Sequence, residues 1–266
     1  MKIDHEQVQA LIEAAADAEI LPLWRNLQDH QVVEKQANDL VTVADRACEE
    51  WLSRELQALL PGSLVVGEEA VHANPGVVAA LDSVRPVWVI DPLDGTNNFA
   101  HGNTPFAVMV CLLRNRETLA SWIYDPLQRS MLRAENGAGA YLDGQRLQLS
   151  PFLGHQSAIG GALSIKYLPQ AMRPVAIRGA AALGESLASG CAAYDYRQLA
   201  TGQYQFQFYY RTLPWDHAPG ALIVTEAGGT ARRFDGSSYQ PADERTGLIV
   251  ACDEETWHTV RELLIE

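Results

Sequence analysis

The chain has 266 residues and a formal net charge of −13, and 47% of its residues are hydrophobic while 20% are charged. These values are typical of a globular protein, and no apolar run approaches the roughly 20 residues that a membrane-spanning helix needs. Negative charge repels the phosphates of nucleic acid, so we expect neither direct nucleic-acid binding nor a membrane partner.

The cysteines and the N-terminus indicate a reducing compartment. The four cysteines contain no C-x-x-C pair, so they indicate neither a zinc site nor a disulfide framework. They are Cys48, Cys111, Cys191 and Cys252. The first residues, Met1 to Glu6, lack the basic and then apolar segments of a signal peptide. We therefore expect a cytoplasmic protein.

The N-terminal half is predicted to contain two helices followed by strands. Apolar spacing predicts helices from Glu6 to about Leu27 and from Ala44 to Leu60, the second ending at Pro61-Gly62. The predicted strands are Leu64–Val66, Val87–Ile90, Ala107–Leu113 and Leu119–Tyr124, followed by a hairpin over Gly137–Leu149 that turns at Asp143-Gly144.

The C-terminal half is predicted to alternate short strands with helices. The strands are Ser157–Ile159, Pro174–Ile177, Gln205–Tyr210 and Leu248–Ala251, and the helices lie near Leu183–Thr201, His217–Ala227 and Glu254–Leu264. This mixture predicts an α/β or α+β fold. A seam near Ser150–Gly154 predicts two halves, residues 1–150 and 151–266.

A Pro/Gly-containing turn with two aspartates follows the predicted strand Val87–Ile90. Asp91 and Asp94 lie where that strand runs into the turn, and Gly95-Thr96 come next, at a possible helix start. Oxygen ligands for a hard cation, followed by free backbone N–H groups, are what a metal-assisted phosphate site needs. Bound cations would also reconcile the acidic chain with a phosphorylated substrate. The alternative is a turn whose aspartates only cap the backbone.

Other carboxylates also lie at strand ends or helix starts. Glu68 is the first polar group after Leu64–Val66, Asp45 begins the second predicted helix, and Asp216 has an N-cap-like position before an apolar run. The alternative for Asp45 and Asp216 is plain helix capping. His217 is expected to be a surface or second-shell residue, since the other candidate ligands are oxygens. Glu69 and the pair Glu49-Glu50 are expected on a solvated face.

Taken together, these segments resemble the inositol monophosphatase family of metal-dependent sugar-phosphate phosphatases. The family motif D-P-[IL]-D-G-T-x-N-F is matched by Asp91 to Phe99, and W-D-x-A-x-G by Trp215 to Gly220. G-E-E is matched at Gly67–Glu69 and D-L-V-T-x-x-D at Asp39–Asp45. The resemblance covers almost the whole chain in order and is weakest from Pro151 to about Ser189.

The resemblance implies two or three Mg²⁺ ions held by oxygen ligands. The first would bind Glu68, Asp91 and the carbonyl of Leu93; the second would bind Asp91, Asp94 and Asp216; a weaker third would bind Glu68. The backbone N–H groups of Gly95 and Thr96 would hold phosphate oxygens.

The resemblance also implies a reaction, the direct in-line hydrolysis of a phosphate monoester without a phosphoenzyme. Glu68 and Thr96 would position the attacking water, and Asp45 would bind the Thr96 hydroxyl and accept its proton. Lithium sensitivity is expected, through occupation of a metal position.

The resemblance implies a small phosphorylated polyol or sugar-like substrate, whose identity is open. Asp94 and Ala192 are expected to bind substrate, and Tyr209 stands where the family has a glutamate that binds substrate hydroxyls. Arg211 favours a second anionic group, and tyrosine can stack on a ring. The alternative is a strand with one residue in the core and Arg211 in solvent. The resemblance implies alternative substrates, because relatives in the family act on histidinol phosphate, fructose bisphosphate and nucleotide bisphosphates.

The resemblance further implies a layered α-β-α-β-α fold with mixed sheets, whose two halves share the active site. A segment from Val33 to Thr42 would be a flap that orders when metals bind. A homodimer is expected. An alternative of another class is a binding partner of the transcription machinery, in which catalysis is dispensable.

Overall fold

Two helices form the N-terminal layer. The computed structural model describes residues 3–36 and 39–266. Helix α1 (His5–Ala15) begins where the Asp4 carboxylate accepts a hydrogen bond from the Gln7 amide. Helix α2 (Val43–Leu59) begins after Thr42 and confirms the second predicted helix to within one residue at each end.

The predicted extension of the first helix to Leu27 is wrong. After α1 the chain forms a π-helical turn (Ala16–Ile20) and a 3-10 turn (Leu21–Leu23). Pro22 has no N–H group to continue the helical hydrogen bonds, and Arg25 has a φ of 57°, which is outside helical geometry.

A two-stranded hairpin precedes α2. Strand β1 (Val32–Gln36) pairs antiparallel with β2 (Asp39–Thr42), which places Val33 opposite Val41. Residues 37 and 38 of the predicted flap, Val33–Thr42, lie outside the described residues. The ordering of this segment by bound metal stays a prediction.

A seven-stranded sheet follows, with its strands side by side in chain order. Its strands are β3 (Leu64–Gly67), β4 (Val87–Asp94), β5 (Ala107–Arg114), β6 (Glu117–Asp125), β7 (Ser130–Glu135), β8 (Gly139–Leu142) and β9 (Gln145–Arg146). The first two are parallel and all later neighbours are antiparallel. The four strands and the hairpin predicted in this half are confirmed, whereas β7 is an additional strand.

Short helices follow the carboxyl ends of the two parallel strands. Helix α3 (Glu68–Ala73) directly follows β3, and α4 (Thr96–Ala100) begins one residue after β4. Because the carboxyl ends of parallel neighbours meet at the same edge of a sheet, Glu68 and the Asp91–Asp94 segment are brought to one edge.

The C-terminal half contains a four-stranded sheet and four helices. Its strands are β10 (Gly161–Leu163), β11 (Phe206–Tyr209), β12 (Thr230–Arg232) and β13 (Leu248–Ala251), in the sheet order β10-β11-β13-β12. Its helices are α5 (Arg173–Ala180), α6 (Ala192–Ala200), α7 (Pro214–Glu226) and α8 (Glu254–Ile265).

Three predictions for this half are wrong. The predicted strand Pro174–Ile177 lies within α5, because a proline in the first turn favours a helix start. The predicted strand Ser157–Ile159 overlaps a 3-10 turn, and β10 begins only at Gly161. The predicted helix near Leu183–Thr201 lacks its first half, because α6 begins after Gly190, whose φ is 78°.

The two sheets and the helices stack as five layers. Helices α1 and α2 pack on one face of the seven-stranded sheet, where Ile12 and Leu52 share a core with Trp88. Helices α6 and α7 lie between the two sheets, and α5 and α8 cover the outer face of the smaller sheet. The expected α-β-α-β-α fold with mixed sheets is therefore confirmed.

The division into residues 1–150 and 151–266 stays a prediction. In residues 3–36 and 39–266, none of the helices is both long enough and apolar enough to cross a membrane.

Candidate active site

The aspartate-containing segment lies at the end of β4. The strand extends beyond the predicted end at Ile90 to Asp94, and its pairing with β5 is irregular between Asp91 and Asp94. Asp91 is only 2% exposed, and its Oδ1 accepts a hydrogen bond from the Leu93 amide over 3.0 Å. Asp91 is therefore a buried carboxylate held at a bulged strand end.

Gly95 links this strand to α4 in a conformation that favours glycine. Its φ is +84°, and a Cβ at this position would lie 2.7 Å from the Pro105 carbonyl oxygen. The sequence therefore places glycine where both the backbone angle and the close neighbour exclude a side chain.

The structure brings Asp45 and Thr96 together, as predicted. The Thr96 hydroxyl lies 2.8 Å from Oδ1 of Asp45 and 2.8 Å from the carbonyl oxygen of Leu93. Oδ2 of Asp45 accepts hydrogen bonds from the amide and the hydroxyl of Thr42. Burial raises the pKa of Asp45 to about 6, although these hydrogen bonds oppose the shift.

The interpretation of Asp45 as an N-cap is wrong, because Thr42 is the N-cap of α2. Asp45 lies in the first turn and forms a reciprocal capping box with Thr42. The same carboxylate thus fixes the start of α2 and holds the Thr96 hydroxyl.

Four carboxylates interact at the edge of the larger sheet. Burial raises the pKa of Asp91 well above its ordinary value, and the negative charges of Glu68, Asp94 and Asp216 raise it further. Bound cations would relieve this repulsion, and the all-oxygen donor set fits Mg²⁺. Within the described part of the chain, no three His, Cys, Asp or Glu side chains are already arranged around one point as metal ligands.

Glu49 supports the helix that begins with Glu68. Its Oε2 accepts a hydrogen bond from the Glu69 amide over 2.7 Å, and its Oε1 accepts one from the Ala70 amide over 2.8 Å. The expectation of a solvated face is wrong for Glu49, which is 6% exposed, and for Glu69, which is also buried, while Glu50 is exposed. The free amides at the start of α3 explain why a carboxylate is buried here.

Asp94 joins the two halves of the chain. Its Oδ2 accepts hydrogen bonds from the Ala193 amide over 2.6 Å and from the Cys191 thiol over 3.1 Å, and the Ala192 amide also donates to this carboxylate. The predicted substrate residues Asp94 and Ala192 therefore do meet. Burial raises the pKa of Asp94, while the amide hydrogen bonds from α6 oppose the shift.

Asp216 and His217 lie in the first turn of α7. The N-cap of this helix is Leu213, so the interpretation of Asp216 as an N-cap is wrong. His217 is buried, which excludes the surface alternative, and burial lowers its pKa to about 3. Its Nε2 lies 3.1 Å from the carbonyl oxygen of Arg211 and must donate to it, so Nδ1 accepts from the Tyr196 hydroxyl.

Tyr209 and Arg211 lie in different environments. Tyr209 is 8% exposed, and its hydroxyl donates to Oδ2 of Asp195 over 3.2 Å. Arg211 is partly exposed, and its guanidinium lies 4.0 Å from the ring centroid of Tyr167. Their binding of substrate stays a prediction.

Sequence reasoning did not identify several supporting residues. Thr42 could have been found from the capping pattern T-x-x-D, whereas the role of Glu49 depends on its contact with α3. Asp195 and Tyr167 carried no recognisable motif. Burial raises the pKa of Asp195 to about 7.

The sequence and the fold are both similar to those of known proteins. The model of the inositol monophosphatase family matches residues 4–265. The chain is 30% identical to the Nus factor SuhB of Vibrio cholerae, covering 93% of this chain and 91% of that protein. It is 31% identical to inositol monophosphatase 1 of Mus musculus, covering 85% and 81% of the two chains.

The fold also resembles a solved structure, the extragenic suppressor protein suhB from Bartonella henselae. The TM-score is 0.83, the sequence identity is 25%, and 98% of each chain is covered. The family match over nearly the full length, the relatives at about 30% identity and the shared fold together establish that this chain belongs to the inositol monophosphatase family.

Proposed function

We propose that this protein is a Mg²⁺-dependent hydrolase of phosphate monoesters. The observation that carries the proposal is the Thr96 hydroxyl, which lies within 2.8 Å of both Asp45 and the Leu93 carbonyl. Five residues before Thr96 lies the buried Asp91, whose pKa is raised by burial and by three neighbouring carboxylates. A hydroxyl held by a buried aspartate, beside carboxylates that repel one another, is suited to metal-assisted hydrolysis.

The cations would be held by oxygen atoms from both halves of the chain. The proposed ligands are Glu68, Asp91, the carbonyl of Leu93, Asp94 and Asp216, for two or three ions. Bound Mg²⁺ would lower the pKa of a water molecule and neutralise negative charge on the phosphate. Thr96 has one hydroxyl proton, and when it is donated to Asp45 the lone pairs of the Leu93 carbonyl oxygen are available to a metal ion.

Side chains and amides around Thr96 would orient the water, accept its proton and bind the phosphate. Glu68 and the Thr96 hydroxyl would orient the attacking water, and Asp45 would take up the proton that Thr96 passes on. A pKa of about 6 allows Asp45 to accept and release a proton near neutral pH. The amides of Gly95 and Thr96 would hold phosphate oxygens, which glycine permits by allowing close approach.

The substrate would be a small phosphorylated polyol or a sugar-like molecule. Asp94, Ala192, Tyr209 and Arg211 would line its pocket, with histidinol phosphate and bisphosphates of fructose or nucleotides as alternatives. The name of the murine relative, inositol monophosphatase 1, supports this class of substrate. Since the proposed reaction needs no protein nucleophile, water would attack directly and no phosphoenzyme would form.

The test is a panel of phosphate esters assayed with Mg²⁺, with a chelator, and with added Li⁺. We expect phosphate release that requires Mg²⁺ and declines with Li⁺, and release of the alcohol product without an initial burst. The panel includes inositol phosphates, histidinol phosphate, sugar bisphosphates and nucleotide bisphosphates. Release that is unchanged by chelation, or no release from any ester, would overturn the proposal.

A second candidate function rests on the Vibrio cholerae relative, which is named a Nus factor. In this alternative the protein binds the transcription machinery and its catalysis is dispensable. Affinity capture with purified RNA polymerase, using wild-type protein and Asp91→Asn, separates the two functions. Capture that persists in the inactive variant supports the second function, and no capture of either protein contradicts it.

The proposed enzyme is a cytoplasmic homodimer. Light scattering of the purified protein at several concentrations tests the dimer, and a mass of one chain throughout would refute it.

A further inference from the structure

A buried carboxyl group at the start of α6 has no task in the proposed reaction. Asp195 lies in the first turn of that helix and is only 1% exposed. Its Oδ1 accepts a hydrogen bond from the Ser189 amide over 3.3 Å, and its Oδ2 accepts one from the Tyr209 hydroxyl over 3.2 Å. The burial of a carboxyl group costs stability unless polar partners offset it, and Ser189 and Tyr209 supply those partners.

Ser189 belongs to a tight turn that leads into α6. Its hydroxyl donates to the Cys191 carbonyl oxygen over 2.9 Å and accepts a hydrogen bond from the Cys191 amide over 3.2 Å. Gly190 lies between them with a φ of 78°, in the left-handed region that favours glycine. We call residues 189–191 the α6 turn. Asp195 therefore holds the α6 turn from within the helix that follows it.

The N-terminal half of the chain also holds the α6 turn. Nδ2 of Asn98, a residue of α4, donates to the Ser189 carbonyl oxygen over 3.3 Å and to the Pro105 carbonyl oxygen over 2.8 Å. Helix α4 begins with Thr96, so the α6 turn is tied to the helix that follows the proposed phosphate-binding amides. Asn98 and Asp195 thus fix this turn from the two halves of the chain.

The first residues of α6 bind the carboxylate of Asp94. The Ala193 amide donates to Oδ2 of Asp94 over 2.6 Å, and the Cys191 thiol donates to the same oxygen over 3.1 Å. Cys191 is both the last residue of the α6 turn and the N-cap of α6. The position of the α6 turn therefore determines where these donors meet Asp94.

Helix capping does not explain the contacts of Asp195. A capping side chain binds the free amides in the first turn of its own helix, but α6 has no side-chain cap of this kind. The Ala193 amide, which a local cap would bind, donates to Asp94 instead. Asp195 binds the amide of Ser189, which lies two residues before the N-cap Cys191. Its contact thus fixes the turn that directs the free amides of α6 at Asp94.

We propose that Asp195 is a positioning residue for the proposed metal ligand Asp94. By holding the α6 turn it keeps the donors of α6 directed at the Asp94 carboxylate, which fixes the orientation of that ligand. Metal ligands are commonly oriented by residues that do not touch the metal, and loss of such a residue typically weakens metal binding by about 10- to 100-fold. This inference rests on the proposed phosphatase function and adds a residue to its metal centre.

The test is calorimetric titration of the protein with Mg²⁺ in the absence of substrate. Asp195→Ala removes the acceptor of the Ser189 amide, and we expect the Kd of Mg²⁺ to rise by about 10-fold. Asp195→Asn keeps an oxygen that can accept from this amide and should restore wild-type Mg²⁺ binding. In the ester assay, Asp195→Ala should raise the Mg²⁺ concentration for half-maximal phosphate release by a similar factor, with a smaller change in kcat at saturating Mg²⁺.

The matched control is Asp253→Ala, because Asp253 has a similar structural role at another helix. Its Oδ1 accepts from the Thr256 amide at the start of α8 over 2.7 Å, and its Oδ2 accepts from the Phe152 amide over 2.6 Å. Asp253→Ala should lower the unfolding midpoint but leave the Kd of Mg²⁺ unchanged. A similar rise of this Kd in both alanine variants would show that lost stability, not lost positioning, weakens binding, and would overturn the proposal.

Other outcomes also decide the proposal. Wild-type Mg²⁺ affinity in Asp195→Ala, or equal losses in Asp195→Ala and Asp195→Asn, would overturn it. If Asp195→Ala does not fold, Ser189→Ala takes its place, since it removes the hydroxyl that joins Ser189 to Cys191. Unchanged Mg²⁺ affinity in Ser189→Ala would then overturn the proposal, and weaker binding would support it.

Metal binding separates failure of this inference from failure of the proposed function. If wild-type protein binds Mg²⁺ but releases phosphate from no ester, the hydrolase proposal fails and the titrations still test Asp195. If wild-type protein is an Mg²⁺-dependent hydrolase and Asp195→Ala binds Mg²⁺ equally well, only this inference fails. If wild-type protein binds no Mg²⁺, Asp195 has no metal ligand to position and both proposals are overturned.

Discussion

The catalytic edge, residues 91–96, and the contact between Arg211 and Tyr167 are built in different ways. The catalytic edge is one continuous segment whose geometry depends on a bulged strand, a left-handed glycine and a buried aspartate. The contact between Arg211 and Tyr167 joins residues more than 40 positions apart, which meet because β10 and β11 are neighbours. Neighbours in sequence therefore form the backbone of the catalytic edge, whereas Tyr167 and Arg211 meet only through tertiary structure.

Asp91→Asn tests the catalytic edge and has the largest expected effect. We expect phosphate release in Mg²⁺ to fall by at least about 10³-fold, because a charged ligand of two proposed metal positions is lost. In metal-free buffer the midpoint of thermal unfolding should rise, since one of four mutually repelling carboxylates is removed.

The control for this variant is Asp17→Asn, which alters an exposed aspartate paired with Arg129. It should retain wild-type turnover. Mg²⁺ should raise the unfolding midpoint of wild type and of the control but not that of Asp91→Asn, and an equal rise in all three proteins would contradict the proposed ligand role.

Asp195→Asn tests whether the buried acid that binds the Tyr209 hydroxyl makes stability depend on pH. Burial raises the pKa of Asp195 from 3.8 to about 7, so the folded state favours the protonated carboxyl. The wild-type free energy of unfolding should therefore fall, relative to the variant, as the pH rises from about 4 to about 7. Three pKa units correspond to at most about 4 kcal/mol.

Chemical denaturation at a series of pH values measures this difference. At pH 4 the two proteins should differ little, because both side chains are uncharged in the folded state. Parallel stability profiles between pH 4 and pH 8 would show that Asp195 titrates normally.

Thr96→Ala removes the hydroxyl that Asp45 holds. We expect kcat to fall by about 10²-fold, the lower range for loss of a positioned acid–base group. Thr96→Ser is the matched control and should recover most of the activity, because it keeps the hydroxyl. If Thr96→Ala retains wild-type kcat in saturating Mg²⁺, proton transfer through Thr96 is excluded.

Gly95→Ala has the smallest expected effect on stability and is paired with Gly62→Ala. Both glycines have positive φ values, +84° and +87°, but only Gly95 has a neighbour, Pro105, close to the added Cβ. We expect losses in the free energy of unfolding of about 1 kcal/mol for Gly62→Ala and about 2 kcal/mol for Gly95→Ala. Equal losses would show that close packing at the catalytic edge adds nothing to the cost of the backbone angle.

Local patterns predicted the elements that carry the catalytic edge. The apolar run before Asp91 and the glycine after Asp94 are sufficient to predict a strand and its turn, and α2 is predicted by helical spacing. The pattern failed at Pro174–Ile177, where a short apolar run was equally compatible with a strand and with the helix that forms. In the folded chain this segment packs against helix α8, a contact that the local pattern does not contain.

Residues whose role depends on a distant partner could not be predicted. Glu49 has the charge and helical position of a surface residue, and only its contact with the first amides of α3 explains its burial. Tyr167 lies in a loop without a motif, 44 residues before Arg211. The family resemblance indicated Tyr209 instead, whose hydroxyl is bound to Asp195.

Helix α2 sets the distance between two parts of the catalytic centre. Asp45 and Glu49 are four residues apart on this helix, which separates them by about 6 Å along its axis on one face. Asp45 holds Thr96, and Glu49 holds the first turn of α3, which begins with Glu68. One turn of α2 therefore fixes the separation between the proposed proton acceptor, Asp45, and the helix that begins with the proposed metal ligand Glu68. An insertion of one residue between Asp45 and Glu49 would add about 100° to the angle between them around the helix axis and misalign their contacts.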